Sequence, residues 1–351
     1  MLLRLILCIM SAMVGAGFAS GREILWFFSR YGSFSWGLIA LAGGGMAWLI
    51  DRAMAFPSLQ ALLPGGLWKK PGQGALLLML LCTAGAMAAA AGELAALIIP
   101  LRYARGLGMA VAIAGCLALS DRCVAALGWI GGALLPVLIL ALLLCLRIPG
   151  EALPAEVPGW KSIPGAITQA ACYAGLNVLL SAGVLCEAGK RCAPSQRKWA
   201  AIGAGALIAL LLALGNAALL PHLRALRDQP LPFVQLLRGY GKTGFYLAAA
   251  VLYLAVVTTL IAVCRGALAG MEGWRGRHKK ISVGLIAALI GLSGFENIVA
   301  TVYPALGLVS LLLFLLAGRE RRFNRRGRRR PPSRPCAEFR RSHSRRPAGL
   351  R

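Results

Sequence analysis

The stretch Val14-Gly15-Ala16-Gly17-Phe18-Ala19-Ser20-Gly21-Arg22-Glu23 lies inside the first apolar run of the chain and sets three glycines and then two charges there. Each glycine weakens a helix by about 1 kcal/mol relative to alanine, so the spacing predicts that the helix unwinds here. Unwound backbone at bilayer depth persists only where protein or a wet cavity surrounds it, and its freed carbonyls and amides then become ligands for an ion or a polar solute. Close helix packing through small residues is the alternative; it accounts for the glycines but not for Arg22 and Glu23. The pattern Gly15-x-Gly17-x-x-x-Gly21 imitates a dinucleotide-binding turn, which needs a strand before it and a parallel sheet around it. The sequence offers neither.

Working outward, the bilayer is the solvent this composition requires. Of the 351 residues 58% are hydrophobic, a further 43 are glycine, and 14% are charged, against about 25% charged in a soluble domain. Apolar runs long enough to cross a membrane are expected at about 2–29, 34–51, 74–99, 107–119, 123–146, 163–186, 199–221, 244–264, 281–296 and 298–317. The fold class is therefore an all-α polytopic membrane protein of about ten helices. The first run, with Arg4 ahead of it, imitates a secretory signal and is expected to be the first span. Residues 1–317 form the transmembrane domain, and 318–351 a basic tail with too few apolar residues to fold.

The net charge of +26 invites a nucleic-acid reading until it is mapped: residues 319–351 hold 14 of the 38 Lys and Arg residues. No aromatic stacking platform accompanies them, so the expected partners of the tail are anionic lipid headgroups, not nucleic acid. Basic residues such as Arg52, Lys69, Lys70, Lys190, Arg191, Arg197 and Lys198 fall in loops on the N-terminal side. This predicts a cell-membrane protein with both termini cytoplasmic. The ten cysteines form no C-x-x-C pair and read as small core residues.

A second interruption, Tyr173-Ala174-Gly175-Leu176-Asn177, falls in the sixth span, where a buried Asn bonding a neighbouring helix is the simpler account. Its position argues for more. About residues 1–146 and 163–317 make two halves of five spans, each beginning with its interrupted helix, and an odd number of spans turns the halves into inverted repeats. Glu93, on a small-residue face of the third span, is an intramembrane carboxylate expected to relay protons, to pair with Arg22, or to sit in a structural ion pair near Arg102.

These residues resemble the YkvI family of bacterial membrane proteins, in the amino acid/polyamine/organocation transporter superfamily with the LeuT-like fold. The likeness rests on Gly15 to Gly21 followed by Glu23, on Tyr173 with Asn177, on Glu93 and on Thr258-Thr259, and it covers about residues 1–317. Arg22 stands where that pattern has Gln, and Leu176 where it has a second aromatic. The resemblance implies a sodium ion held between the opened first helix, at Val14 and Gly15, and Thr258 and Thr259 of the eighth span, with the Ala255 carbonyl as a further oxygen. Hard cations take several oxygens, while adjacent threonines also bond back to their own helix.

The expected function is an ion-coupled secondary transporter, with sodium or a proton as coupling ion and Arg22, Glu23 and Glu93 as the charges involved. Its solute is expected to be a small zwitterion such as an amino acid. Amides where the helix restarts attract a carboxylate, and carbonyls around Ala16 and Gly175, with Tyr173 and Asn177, accept from an amine. Ala16, Gly17, Phe18, Ala19, Ser20 and Gly21 line that site. The alternative is a non-transport membrane protein, a sensor or scaffold that keeps the fold. An enzyme is not expected: Gly239-Tyr240-Gly241-Lys242-Thr243 lacks the first glycine of a phosphate loop, and the three histidines lie outside the spans, which leaves no triad and no H-E-x-x-H.

Overall fold

The computed structural model describes residues 2–118, 123–150, 162–271 and 276–328. Every regular element among them is helical: α1 (Leu2–Met13), α2 (Ala16–Ser20), α3 (Arg22–Phe27), α4 (Ser35–Met54), α5 (Leu59–Leu62), α6 (Lys69–Ile98), α7 (Ala104–Ala118), α8 (Cys123–Cys145), α9 (Ile163–Lys190), α10 (Pro194–Leu219), α11 (Leu223–Leu226), α12 (Pro232–Leu237), α13 (Gly241–Gly270), α14 (Gly276–Gly291), α15 (Phe295–Asn297) and α16 (Tyr303–Arg328). Helical segments among the described residues occupy all the expected spans, and six stretches are long and apolar enough to cross a membrane. Helices α1 and α7 and the stretch Ala133–Cys145 of α8 are apolar but shorter. The protein is a polytopic helical membrane protein.

Two packed groups surround the first span. Helices α4, α9 and α10 pack together with α1 beside them and α16 against α9, while α6 packs with α7, α13 and α14. In lipid the hydrophobic effect does not drive helices together, so close approach through small residues has to. Between α4 and α10, a Cβ on Gly205 would meet the Gly43 carbonyl at 2.7 Å; between α6 and α7, one on Gly92 would meet the Arg105 carbonyl at the same distance. Helix α6 is buried without a break from Met79 to Leu94, its alanines leaving room for neighbours on all sides.

Two expectations are corrected here. The sixth span is not broken: α9 is one continuous α-helix through Tyr173, Gly175 and Asn177. The Asn177 amide donates to the Tyr173 carbonyl one turn back (2.9 Å), keeping the polar group within its own helix. Gly175 serves α16, because a Cβ there would meet Leu311 Cγ at 2.9 Å. The other correction concerns the tail. Helix α16 continues to Arg328, since arginine is a good helix former and the turn before it is already built. The rest of the expected basic tail, 329–351, lies outside the described residues.

Candidate functional site

The opening in the first span is narrower than expected. Helix α1 ends at Met13, Gly15 is extended, and α2 begins at Ala16. Both sides of the gap are satisfied by hydroxyls from other helices. The Ala16 amide donates to Thr259 Oγ1 of α13 (3.3 Å), and the Ala12 carbonyl accepts from Ser181 Oγ of α9 (2.9 Å). A second hinge is Gly21, at φ +80, where a side chain would be strained and would meet the Phe233 ring at 2.9 Å. Residues 16–20, expected to unwind, are a short helix between these hinges. Local bonds hold it: the Ala19 amide donates to the Gly15 carbonyl (3.1 Å) and Ser20 Oγ to the Gly17 carbonyl (2.7 Å).

A cavity of about 1090 Å³ ends against this broken helix. Its inner walls include Val14 to Ala19, Glu23, Thr83, Asn177, Ser181 and Tyr303. Its lining continues to Gln60 after α4, Gln73 in the first turns of α6 and Gly270 at the end of α13, so it opens toward the face that carries the N-terminus.

The opposite side is shut. Arg22 is 1% exposed and its guanidinium pairs with the Glu296 carboxylate, while also donating to the Arg227 and Gln229 carbonyls. Phe233 lies on Gly21, and the buried Tyr173 ring is flanked by Phe27 and Phe28, with centroids 5.2 and 5.1 Å away. Charge, backbone acceptors and aromatic rings thus close the path past Gly21.

Of the residues expected to bind solute, Ala16, Gly17, Phe18, Ala19 and Asn177 line the cavity, whereas Ser20, Gly21, Tyr173 and Gly175 do not. Tyr173 instead lies beside the Glu23 side chain. The Gly175 carbonyl is not freed, because α9 does not open. The five residues expected around a cation, Val14, Gly15, Ala255, Thr258 and Thr259, all face the cavity. Thr258 Oγ1 and Thr259 Oγ1 donate to the Ala255 carbonyl at 3.0 and 2.8 Å. Thr258 Oγ1 keeps both lone pairs for an acceptor role and Thr259 Oγ1 keeps one beside that taken by the Ala16 amide, and hydroxyl oxygens beside the carbonyls of an opened helix fit a hard monovalent cation. Among the described residues no cluster of His, Cys, Asp or Glu suits a multivalent metal.

Glu93 and Arg22 do not line the cavity, and they do not pair with each other. Glu93 faces α7, where Arg105 binds it at 2.9 Å. Glu296 is the partner that sequence reasoning missed. The signal was present: in an alternating topology the end of the first span and the connection between the ninth and tenth lie on one face, and they carry opposite charges.

No protein-family model matches the chain. It is similar to the uncharacterized protein YyaD of Bacillus subtilis, with 23% identity over 324 residues covering 88% of this chain and 94% of that protein. It is similar also to the uncharacterized membrane protein YkvI of the same organism, with 24% identity over 317 residues, 85% of this chain and 90% of that one. Both likenesses span nearly the whole of the relatives.

Proposed function

We propose that the protein is an ion-coupled secondary transporter of a small zwitterionic solute, an amino acid or a close relative, working by alternating access. One observation carries this reading: a cavity whose lining reaches exposed residues of α5, α6 and the end of α13 ends at a broken helix, while an ion pair and aromatic packing shut the side past Gly21. A channel is open to both faces and a scaffold needs no cavity. Broken helices at mid-membrane are where transporters bind solutes and ions. In this reading the ten spans form two inverted five-helix repeats of the LeuT-like kind in the cell membrane, with both termini cytoplasmic and the cavity facing inward. Sodium at Thr258, Thr259 and the carbonyls near Gly15 would tie α1 and α2 to α13, the Ala255 carbonyl being taken up by the two hydroxyls instead of the ion. Because α9 is continuous, the two hinges of the first span carry the motion between states.

The test is accumulation of radiolabelled amino acids in proteoliposomes under an imposed sodium or proton gradient. Uptake above the equilibrium level supports the reading. Solute binding without accumulation under either gradient overturns it and favours a sensor. Orientation is checked separately by labelling Cys336 from each side of the membrane, modification from the cytoplasmic side alone being expected.

A further inference from the structure

Glu23 is the only carboxylate lining the cavity among the described residues, and it is 7% exposed. Among the described residues no Lys or Arg forms an ion pair with it. The neighbouring Arg22 is turned to the other side and engaged by Glu296, and the one cationic side chain on the cavity wall, Arg265, belongs to the stretch toward the mouth. The groups that meet Glu23 are neutral: the Tyr173 hydroxyl from α9 and, nearby, Tyr303 from α16. Space has been kept for the carboxylate, because a Cβ on Gly17 would fall on its Oε1.

The other polar atoms of the inner cavity share one property. The hydroxyls of Ser181, Thr258 and Thr259 donate their protons to the backbone carbonyls of Ala12 and Ala255. The Ala16 amide is spent on Thr259, and one N–H of the Asn177 amide on the Tyr173 carbonyl. The side chains of the inner cavity offer chiefly acceptor capacity, in the hydroxyl lone pairs and the Asn177 carbonyl oxygen, and their one charged group among the described residues is the Glu23 carboxylate. An ammonium group has three donors and no acceptor, which is the complement of such a wall. The remaining lining is rich in Leu, at 76, 77, 80, 176, 179 and 180.

We infer that Glu23 is the anionic anchor for the ammonium group of the solute, and that the solute class is a primary amine carrying a branched or extended apolar body. The inference rests on the transporter reading in taking this cavity as the solute site. It deepens that reading by making the amine, and not the carboxylate, the group the inner cavity selects. A buried carboxylate without a cation is costly, and a ligand that brings the cation removes that cost. A zwitterion is accepted through its amine, with its carboxylate directed away from Glu23.

The test uses the full chain in detergent, with thermal stabilisation as the measure of binding. The probes are L-leucine, 3-methylbutylamine, which is leucine without its carboxylate, and N-acetyl-L-leucine, which is leucine without its ammonium. Leucine and the amine are expected to stabilise the protein, with N-acetyl-leucine weaker by about tenfold or more. Glu23→Gln, which keeps the volume and removes the charge, is expected to weaken leucine and the amine by a similar factor, and Glu23→Asp by less. Equal binding of N-acetyl-leucine, absence of any response to the two amines, or unchanged binding in Glu23→Gln overturns the inference. The probe comparison needs only the unmodified protein, so it decides the matter even where Glu23→Gln does not fold. Amine-selective binding without accumulation in proteoliposomes overturns the transporter reading alone, and binding of the amine as tight as leucine overturns the requirement for a zwitterion.

Discussion

Arg22 on α3 and Glu296 on α15 stand 274 positions apart in the sequence and form an ion pair in which the arginine side chain is 1% exposed and the glutamate 39%. The pair joins the end of the first span to the entry of the last. The same guanidinium reaches the Arg227 and Gln229 carbonyls in the connection before α12. One side chain therefore draws three separate segments over the closed end of the cavity.

Loosening this contact should open that end. A charge-assisted bond partly open to water is worth about 1 to 2 kcal/mol, a shift of about tenfold in a two-state equilibrium. Glu296→Gln is expected to speed labelling of a cysteine placed at Ser20, which is fully buried, by about that factor when an impermeant reagent is added from the closed face. The charge-swapped double variant Arg22→Glu with Glu296→Arg should recover part of the protection. An unchanged labelling rate in Glu296→Gln would remove the pair from any role in closure.

The two threonines of α13 should separate in their effects. Thr258→Val deletes a hydroxyl that bonds only its own helix, so it is expected to abolish sodium dependence of uptake at little cost in stability. Thr259→Val also strips the acceptor from the Ala16 amide, and an orphaned buried donor costs about 1 to 3 kcal/mol. It should lower the unfolding temperature as well. Uptake that is insensitive to sodium in the unmodified protein would rule out the cation site.

Glu93 is expected to be dispensable for coupling. It is bound to Arg105, whose side chain is 61% exposed, and such a pair contributes about 0 to 1 kcal/mol. Glu93→Gln should leave the rate of uptake and its dependence on pH unchanged while lowering stability slightly. Loss of proton-driven uptake in this variant would return the relay role to Glu93.

Helix contacts through glycine give a graded stability series. A Cβ on Gly307 would sit 2.5 Å from the Cys172 carbonyl oxygen, which is backbone and cannot yield, whereas one on Gly175 meets the movable Leu311 side chain. Gly307→Ala is expected to cost about 1 to 3 kcal/mol or more, Gly175→Ala less, and Gly44→Ala, which meets nothing within 4 Å, nothing measurable. Thermal unfolding in detergent reads the order; an equal effect at all three positions would mean that α9 and α16 do not pack as described.

The sequence by itself determined the solvent, the helical class, the approximate position of the long apolar helices and the fact that the first helix opens near Gly15. These are local properties: hydropathy over some twenty residues and helix propensity over five are summed along the chain and need no partner. The pairing of Thr258 and Thr259 with the opened first helix was suggested only by the family resemblance, and the packing of α13 against α2 is what brings Thr259 to the Ala16 amide. Tertiary structure decided which glycines are hinges and which are contacts. Gly15 and Gly175 carry about the same propensity cost; Gly15 opens because Thr259 and Ser181 stand ready to take its neighbours' amide and carbonyl, and Gly175 stays helical because α16 lies against it. It also decided the pairing of charges, since Arg22, Glu23, Glu93, Arg105 and Glu296 could be matched in several ways along the chain. Only the packing of α3, α6, α7 and α15 leaves Arg22 to Glu296, Glu93 to Arg105, and Glu23 facing the cavity with no cation of its own.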